Sequence, residues 1–247
     1  MGFCADAGIR AILLDIDGTL YPRHMLHARM LRSMFPSPIV AARYNRVRKK
    51  IRLVQETAPT VPPTLEGFRR RQAQMILADS HRDLSEDACR LVERRLENQF
   101  YDRWPLYFAS IKPFDGMRDA LVEARSLDLR LGVLSDFPIA NKLDVLGVSD
   151  LIESACCSEE SGYLKPHPAP FSYLLDRMGL LAQETLFVGD SYDKDVVGAA
   201  RAGMRSCLLK RGYGAGQRHG GDASTRYPAA DLVCGTWQEF TQRVLRS

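Results

Sequence analysis

The chain of 247 residues carries a formal net charge of +4, with 45% hydrophobic and 26% charged residues, the balance of an ordinary globular protein with one large or two modest cores. It has no run of about 18 apolar residues, which excludes a membrane-spanning helix, and the amino terminus around Asp6 and Arg10 lacks the regions of a secretory signal, so a cytoplasmic location is the default expectation. Cys4, Cys89, Cys156, Cys157, Cys207 and Cys234 show no Cys-x-x-Cys spacing and the histidines form no cluster; reduced, packed thiols are expected, and any metal should be held by oxygen.

In chain order, the first element is the apolar run Ala11-Ile12-Leu13-Leu14, which ends abruptly in Asp15-Ile16-Asp17-Gly18-Thr19. Four consecutive apolar residues followed by a turn signal predict a strand buried on both faces, the kind found in parallel sheets, with the acids at its carboxyl end, where α/β sheets bind ligands. Two carboxylates two residues apart read either as solvated acids of an Asp-Gly turn or as a pair facing one site with a cation or proton between them. The second reading makes Asp15 a nucleophile and Asp17 a group that donates and accepts protons.

The rhythm then becomes helical. Leu26, Met30, Leu31, Met34 and Phe35 predict a first helix. Ser37-Pro38 opens a second with Val40, Tyr44, Val47, Ile51 and Val54 on one face. Leu65, Phe68, Met75 and Ile76 predict a third after the turn-rich 59–64, and a fourth begins near Ser85 with Ala88, Leu91, Val92, Leu96 and Phe100 inward. Residues 22–108 thus read as a helical bundle inserted after the first strand, and residues 1–21 with 109–247 as the core. The insert holds seventeen Lys and Arg against nine Asp and Glu, a balance of +8 in a chain whose total is +4. Its basic runs, Arg69-Arg70-Arg71 and 46–52, read mainly as solvated helix faces, although arginine suits bidentate binding of carboxylate or phosphate. No nucleic-acid-binding motif accompanies the charge, so no nucleic-acid partner is expected.

From Pro113 onward strands and helices alternate. The spacing predicts a helix over 117–126, a strand over 129–134, a short helix over 138–146 and a strand at Leu151-Ile152. A helix over 170–178, a strand over 185–188, a helix over 195–202 and a strand over 205–209 follow. A Gly-rich loop over 212–228, a strand at Leu232-Val233 and a helix ending at Leu245 close the chain. This alternation predicts an α/β fold with a doubly wound parallel sheet.

Three later segments end in groups suited to phosphate and metal. Val133-Leu134-Ser135-Asp136 sets a hydroxyl at a strand tip with the amide of Asp136 behind it, although a helix-capping serine is the commoner meaning of such a residue. Leu164-Lys165-Pro166-His167 holds an ammonium fit to offset a nucleophile and an incoming phosphoryl group. Val188-Gly189-Asp190 repeats the opening design. Asp15, Asp190 and the Asp17 carbonyl would supply oxygens for Mg²⁺, with Asp195 orienting a metal-bound water or Lys165 from behind, while Asp193 reads as a helix first-turn acid.

These four segments in this order resemble the haloacid dehalogenase-like hydrolase superfamily, over nearly the whole chain, including a helical cap between the first two motifs as in the branch with phosphoglycolate phosphatases. The resemblance implies a Rossmann-like core, Mg²⁺, attack by Asp15, and Asp17 as general acid and then base. It also implies Ser135 and Lys165 on the phosphoryl oxygens, and Gly18 and Thr19 beginning a flexible turn that closes the site. Asp136 and Phe137 stand where many relatives carry small or amide residues. The acid at position 17 favours phosphate chemistry over dehalogenation or phosphonate cleavage. A Mg²⁺-dependent phosphatase acting on a small phosphorylated substrate is therefore expected; a phosphomutase keeps both acids and stays open, as does a non-catalytic interaction protein on the same fold.

Overall fold

A computed structural model of the chain describes residues 2–25, 38–80, 83–109, 111–211 and 226–246. A single sheet of six parallel strands has the order β3-β2-β1-β4-β5-β6, where β1 is Ala11–Leu14, β2 Arg130–Ser135, β3 Ser154–Cys157, β4 Thr185–Gly189, β5 Arg205–Leu209 and β6 Leu232–Cys234. This is the doubly wound order, with the crevice for ligands at the carboxyl ends of the central strands. The apolar run that predicted β1 lies between two neighbours: Leu14 is in register with Val133 of β2 on one side and Val188 of β4 on the other. All four β1 residues are fully buried, as a strand covered on both faces requires.

Helices cover both faces. Ile12 and Leu14 point into a cluster with Leu131, Val133, Leu186 and Val188, closed by Met117 and Leu121 of the helix Met117–Ser126 and by Trp237 and Phe240 near the carboxyl terminus. Leu13 points the other way, into a cluster with Leu134, Phe187 and, from the helix Pro168–Met178, Phe171 and Leu174. The period-2 alternation of β1 is therefore split between two cores. All six cysteines are free and buried, as packed thiols should be.

Between β1 and β2 the described residues are mainly helical. The elements used below are α1 (Pro38–Val54), α2 (Leu65–Ala78) and α3 (Glu86–Leu96). Thr64 caps α2 by accepting from the Gly67 N–H, and Ser85 caps α3 by accepting from Ala88. Tyr44, Val47 and Ile51 of α1 pack with Phe68, Ile76 and Leu96 around Leu164 of the following core segment. One expected inward residue of α3 is misplaced: Leu91 is 46% exposed, and Cys89 fills the buried position with Ala73 and Leu77. The expected helix over Leu26, Met30, Leu31, Met34 and Phe35 lies outside the described residues, as do Ser37 and most of the 212–228 loop.

Two further expectations shift. The strand expected at Leu151-Ile152 is instead β3, three residues later; Leu151 and Ile152 pack side-on against the core, and the small residues Ser154-Ala155 pair with Gly132-Val133 at the sheet edge. Apolar density marked the core contact rather than the hydrogen-bonded ladder. The helix expected over 138–146 contracts to the single turn Lys142–Val145, preceded by Ala140 with φ +43°. We call this turn α4.

Candidate active site

Four chain segments meet at the carboxyl ends of β2, β1 and β4. Asp15 follows β1 and is 5% exposed. Its Oδ1 accepts from Lys165 Nζ at 2.7 Å and its Oδ2 from the Thr19 hydroxyl at 3.0 Å, so both oxygens are fixed. Lys165 is fully buried, and besides Asp15 it donates to Asp195 Oδ1 at 2.7 Å and to the Leu134 carbonyl at 3.2 Å. An ammonium has three N–H bonds, and each is met. Lys165 thus ties Asp15 to Asp195, the residue expected to orient it from behind.

Asp195, 1% exposed, also accepts from the Ser191 N–H at 3.0 Å, which locks the turn after β4. Gly189 stands against it, where any Cβ would overlap the Asp195 carboxylate. Oxygens of Asp15, Asp190 and Asp195 all lie within 4.8 Å of one another, a hard donor set that fits a small divalent cation. Gly18, at φ +110°, brings the turn so close that a Cβ would strike the Asp190 carboxylate. Only glycine lets β1's turn and β4's acid share this space. Arg23 lies over the same oxygens: its Nη2 donates to Asp190 at 2.7 and 2.9 Å and its Nε to the Asp17 carbonyl at 3.0 Å. Two of the expected metal-binding groups therefore already attract a cation from the protein itself. Asp193 is exposed, in keeping with a first-turn role.

Asp17 has different company. Lys142 Nζ donates to both of its oxygens at 2.9 Å, Ser135 Oγ donates to Oδ2 at 3.1 Å, and the Tyr21 hydroxyl donates to Oδ1. The contrast in charge state follows. Burial pushes the Asp15 carboxyl up to about 7, opposed by Lys165 and reinforced by Asp195, Asp190 and Asp17. Burial acts upward on Asp17 as well, but Lys142 together with the hydrogen bonds from Tyr21 and Ser135 holds it below the ordinary carboxylate range.

Asp136 takes a role the sequence did not assign. Its carboxylate accepts from Arg52 Nη2 at 2.7 Å and lies 3.6 Å from Lys194 Nζ, and its carbonyl accepts from Arg48 Nη2 at 2.5 Å. An anion already committed to cations recognises no phosphate with its side chain, so what Asp136 has to offer there is its backbone N–H. Arg48 is 2% exposed and pairs with Glu159; Arg52 Nε donates to the Lys165 carbonyl at 3.1 Å; Gln55 brackets Leu164, donating to its carbonyl at 2.9 Å and accepting from its N–H at 3.1 Å. At positions i, i+4 and i+7 these form one stripe of α1 that grips the segments bearing Ser135 and Lys165. The basic run over 46–52 is thus divided: Arg46 has 62% of its side chain exposed, whereas Arg48 is buried. Charge density alone had placed the run on a solvated face. The residues that sequence reasoning missed are Tyr21, Arg23, Arg48, Arg52 and Lys142. Tyr21 offered a faint signal, standing four residues after Asp17; the others are cations whose carboxylate partners are remote in sequence.

A strand-tip carboxylate held by a buried lysine, with a second acid two residues on and a third at the end of the neighbouring strand, is an arrangement suited to chemistry through carboxylates. The model of the haloacid dehalogenase-like hydrolases matches residues 9–203, and the chain belongs to that family. A glyceraldehyde 3-phosphate phosphatase of Methanopyrus kandleri is 30% identical over 213 residues, covering 83% of this chain and 85% of that protein. A phosphoglycolate phosphatase of Yersinia pestis is 35% identical over 107 residues, 42% of this chain and 46% of its own length. Among solved structures, the haloacid dehalogenase-like hydrolase YfnB from Bacillus subtilis bound to magnesium superposes with TM-score 0.59 at 18% identity, covering 95% of this chain and 97% of that one. With a family of hydrolases and phosphatase relatives on one side and both acids of the first motif present on the other, this enzyme is a phosphatase.

Proposed function

We propose that the protein is a Mg²⁺-dependent phosphomonoester hydrolase acting on a small phosphorylated metabolite through an aspartyl-phosphate on Asp15, with residues 22–108 forming a cap over a core of 1–21 and 109–247. The observation that carries the reading is the convergence of Asp15, Asp17, Lys165 and Asp190 from separate segments on one point of the sheet edge. Hard oxygens of Asp15 and Asp190, with the Asp17 carbonyl, would hold Mg²⁺, which supplies charge neutralisation of the phosphoryl oxygens when bound.

The chain's own residues do the rest. Thr19 and Lys165 aim the Asp15 carboxylate, one oxygen of which attacks phosphorus; the Asp15–phosphorus bond forms as the bond to the leaving oxygen breaks. Asp17, ionised in the free enzyme, takes up a proton as the anionic substrate binds and passes it to that oxygen, so the alcohol leaves neutral. A water then attacks phosphorus, Asp17 takes the water's proton, and the Asp15 carboxylate is released with inorganic phosphate. Ser135 adjoins Asp17 and presents a hydroxyl for a phosphoryl oxygen. The relatives named above favour a substrate that carries one phosphate on a two- or three-carbon skeleton.

Turnover of p-nitrophenyl phosphate with Mg²⁺, its loss with chelator, and its abolition in Asp15→Asn test this. An enzyme equally active without any divalent cation, or with Asp15 replaced, contradicts it.

A further inference from the structure

We propose that Lys142 is a positioning residue for the second acid: it fixes the direction of the Asp17 carboxylate, and so decides whether the enzyme can expel an unactivated alcohol. The inference rests on the mechanism above and adds to it a residue from outside the four motif segments.

Lys142 is fully buried, and its Nζ sits 2.9 Å from both oxygens of Asp17. Lysine is rarely placed so deep, and a point charge bonded symmetrically to both oxygens fixes the plane of a carboxylate. The surroundings keep the lysine there. The Phe108 ring lies with its centroid 4.8 Å from Nζ, and Tyr21, which also bonds Asp17, packs edge-on against the same ring at 5.2 Å and 87°. The approach is built into the backbone too. Ala140, two residues earlier, has φ +43°, in the left-handed region that alanine seldom enters, and the Lys142 N–H closes the turn on the Ile139 carbonyl at 2.9 Å. From the turn that follows, the Lys142 side chain reaches inward to Asp17.

The division of labour is then clear. Lys165 holds Asp15 and Asp195, Lys142 holds Asp17, and the two lysines come from different segments of the chain. Ser135 and Tyr21 complete the set of donors on Asp17, so each carboxylate oxygen is met twice and the plane of the group is fixed. Without Lys142 it would swing between partners, and proton delivery to the leaving oxygen would lose its alignment.

The test uses the leaving group. An aryl phosphate such as p-nitrophenyl phosphate leaves without a proton; an alkyl phosphate such as glycerol 2-phosphate does not. Lys142→Met is expected to lower kcat on the alkyl ester by roughly 10²-fold and on the aryl ester by less than about fivefold, with KM for both changed by less than about twofold. In an Asp17→Asn background, adding Lys142→Met replaces the whole buried charge pair by neutral groups, which protects folding, and is expected to cost nothing further on either ester. Equal losses on the two esters for the single variant, or a further loss in the double variant, would overturn the inference while leaving the proposed hydrolase intact. A wild-type enzyme inert on both esters would remove the hydrolase reading and this role with it.

Discussion

Two buried regions of this molecule hold comparable charges in opposite ways. At the tips of β1 and β4, Asp15, Asp190 and Asp195 crowd together with two cations bonded to them among the described residues, Lys165 and Arg23, and burial pushes Asp15 up to about 7. Where α1 meets the segments after β2 and β3, Arg48 faces Glu159, and Arg52 with Lys194 faces Asp136; each anion has its cation. The first region is left short of positive charge, which is what a site awaiting a metal and a phosphoryl group needs. The second is balanced, and its outcome is a fixed helix. Matched buried charges secure architecture; a deliberate mismatch supplies chemistry.

The predictions sharpen that contrast. The largest effect is expected from Asp15→Asn, which removes the proposed nucleophile while keeping its shape: turnover of an aryl phosphate should fall by about 10⁴-fold or more with the melting temperature preserved. Next is Arg48→Met. It leaves Glu159 buried without its cation, held among the described residues by the Tyr101 hydroxyl at 3.0 and 3.2 Å, and should cost about 3–5 kcal/mol in urea unfolding. Asp17→Asn should lower kcat on an alkyl phosphate by about 10²-fold, and near-normal turnover on that ester would remove the acid–base role.

The smallest effect is a pH signature. Burial alone would raise Asp136, but Arg52, Lys194, Lys165 and Arg48 hold it well below the usual carboxylate range. Its folded value lies below the unfolded value of about 3.9, so the stability it contributes is complete above about pH 4 and is lost as pH falls below that. Arg52→Met should therefore cost about 1 kcal/mol near neutrality and flatten the acid limb of the stability curve. Unfolding midpoints measured from pH 3 to 6 that keep the wild-type slope would show that α1 is held by packing alone.

The same contrast explains what could be read in advance. The core tips were legible because each is local: an apolar run of four or five residues, then an acid or hydroxyl at a turn, as in Leu14-Asp15 and Gly189-Asp190. The parallel order followed from the alternation of strands and helices. The helix-to-core contacts were not legible, since Arg48 and Glu159 are 111 residues apart and Lys142 and Asp17 are 125 apart. A lysine beside Asn141 in a polar loop has the local appearance of a surface residue, and only the fold turns it inward. Leu151 and Ile152 failed as a strand for a related reason: apolar side chains report burial, and at a sheet edge the ladder can run through smaller neighbours.

The most direct measurement of the central claim is a chemical trap. The enzyme is mixed with Mg²⁺ and a phosphomonoester, quenched during turnover, and reduced with borohydride, which converts an aspartyl-phosphate to homoserine. The account predicts homoserine at position 15 alone, dependent on substrate. Turnover with position 15 unmodified, or with the mark on another residue, would contradict it.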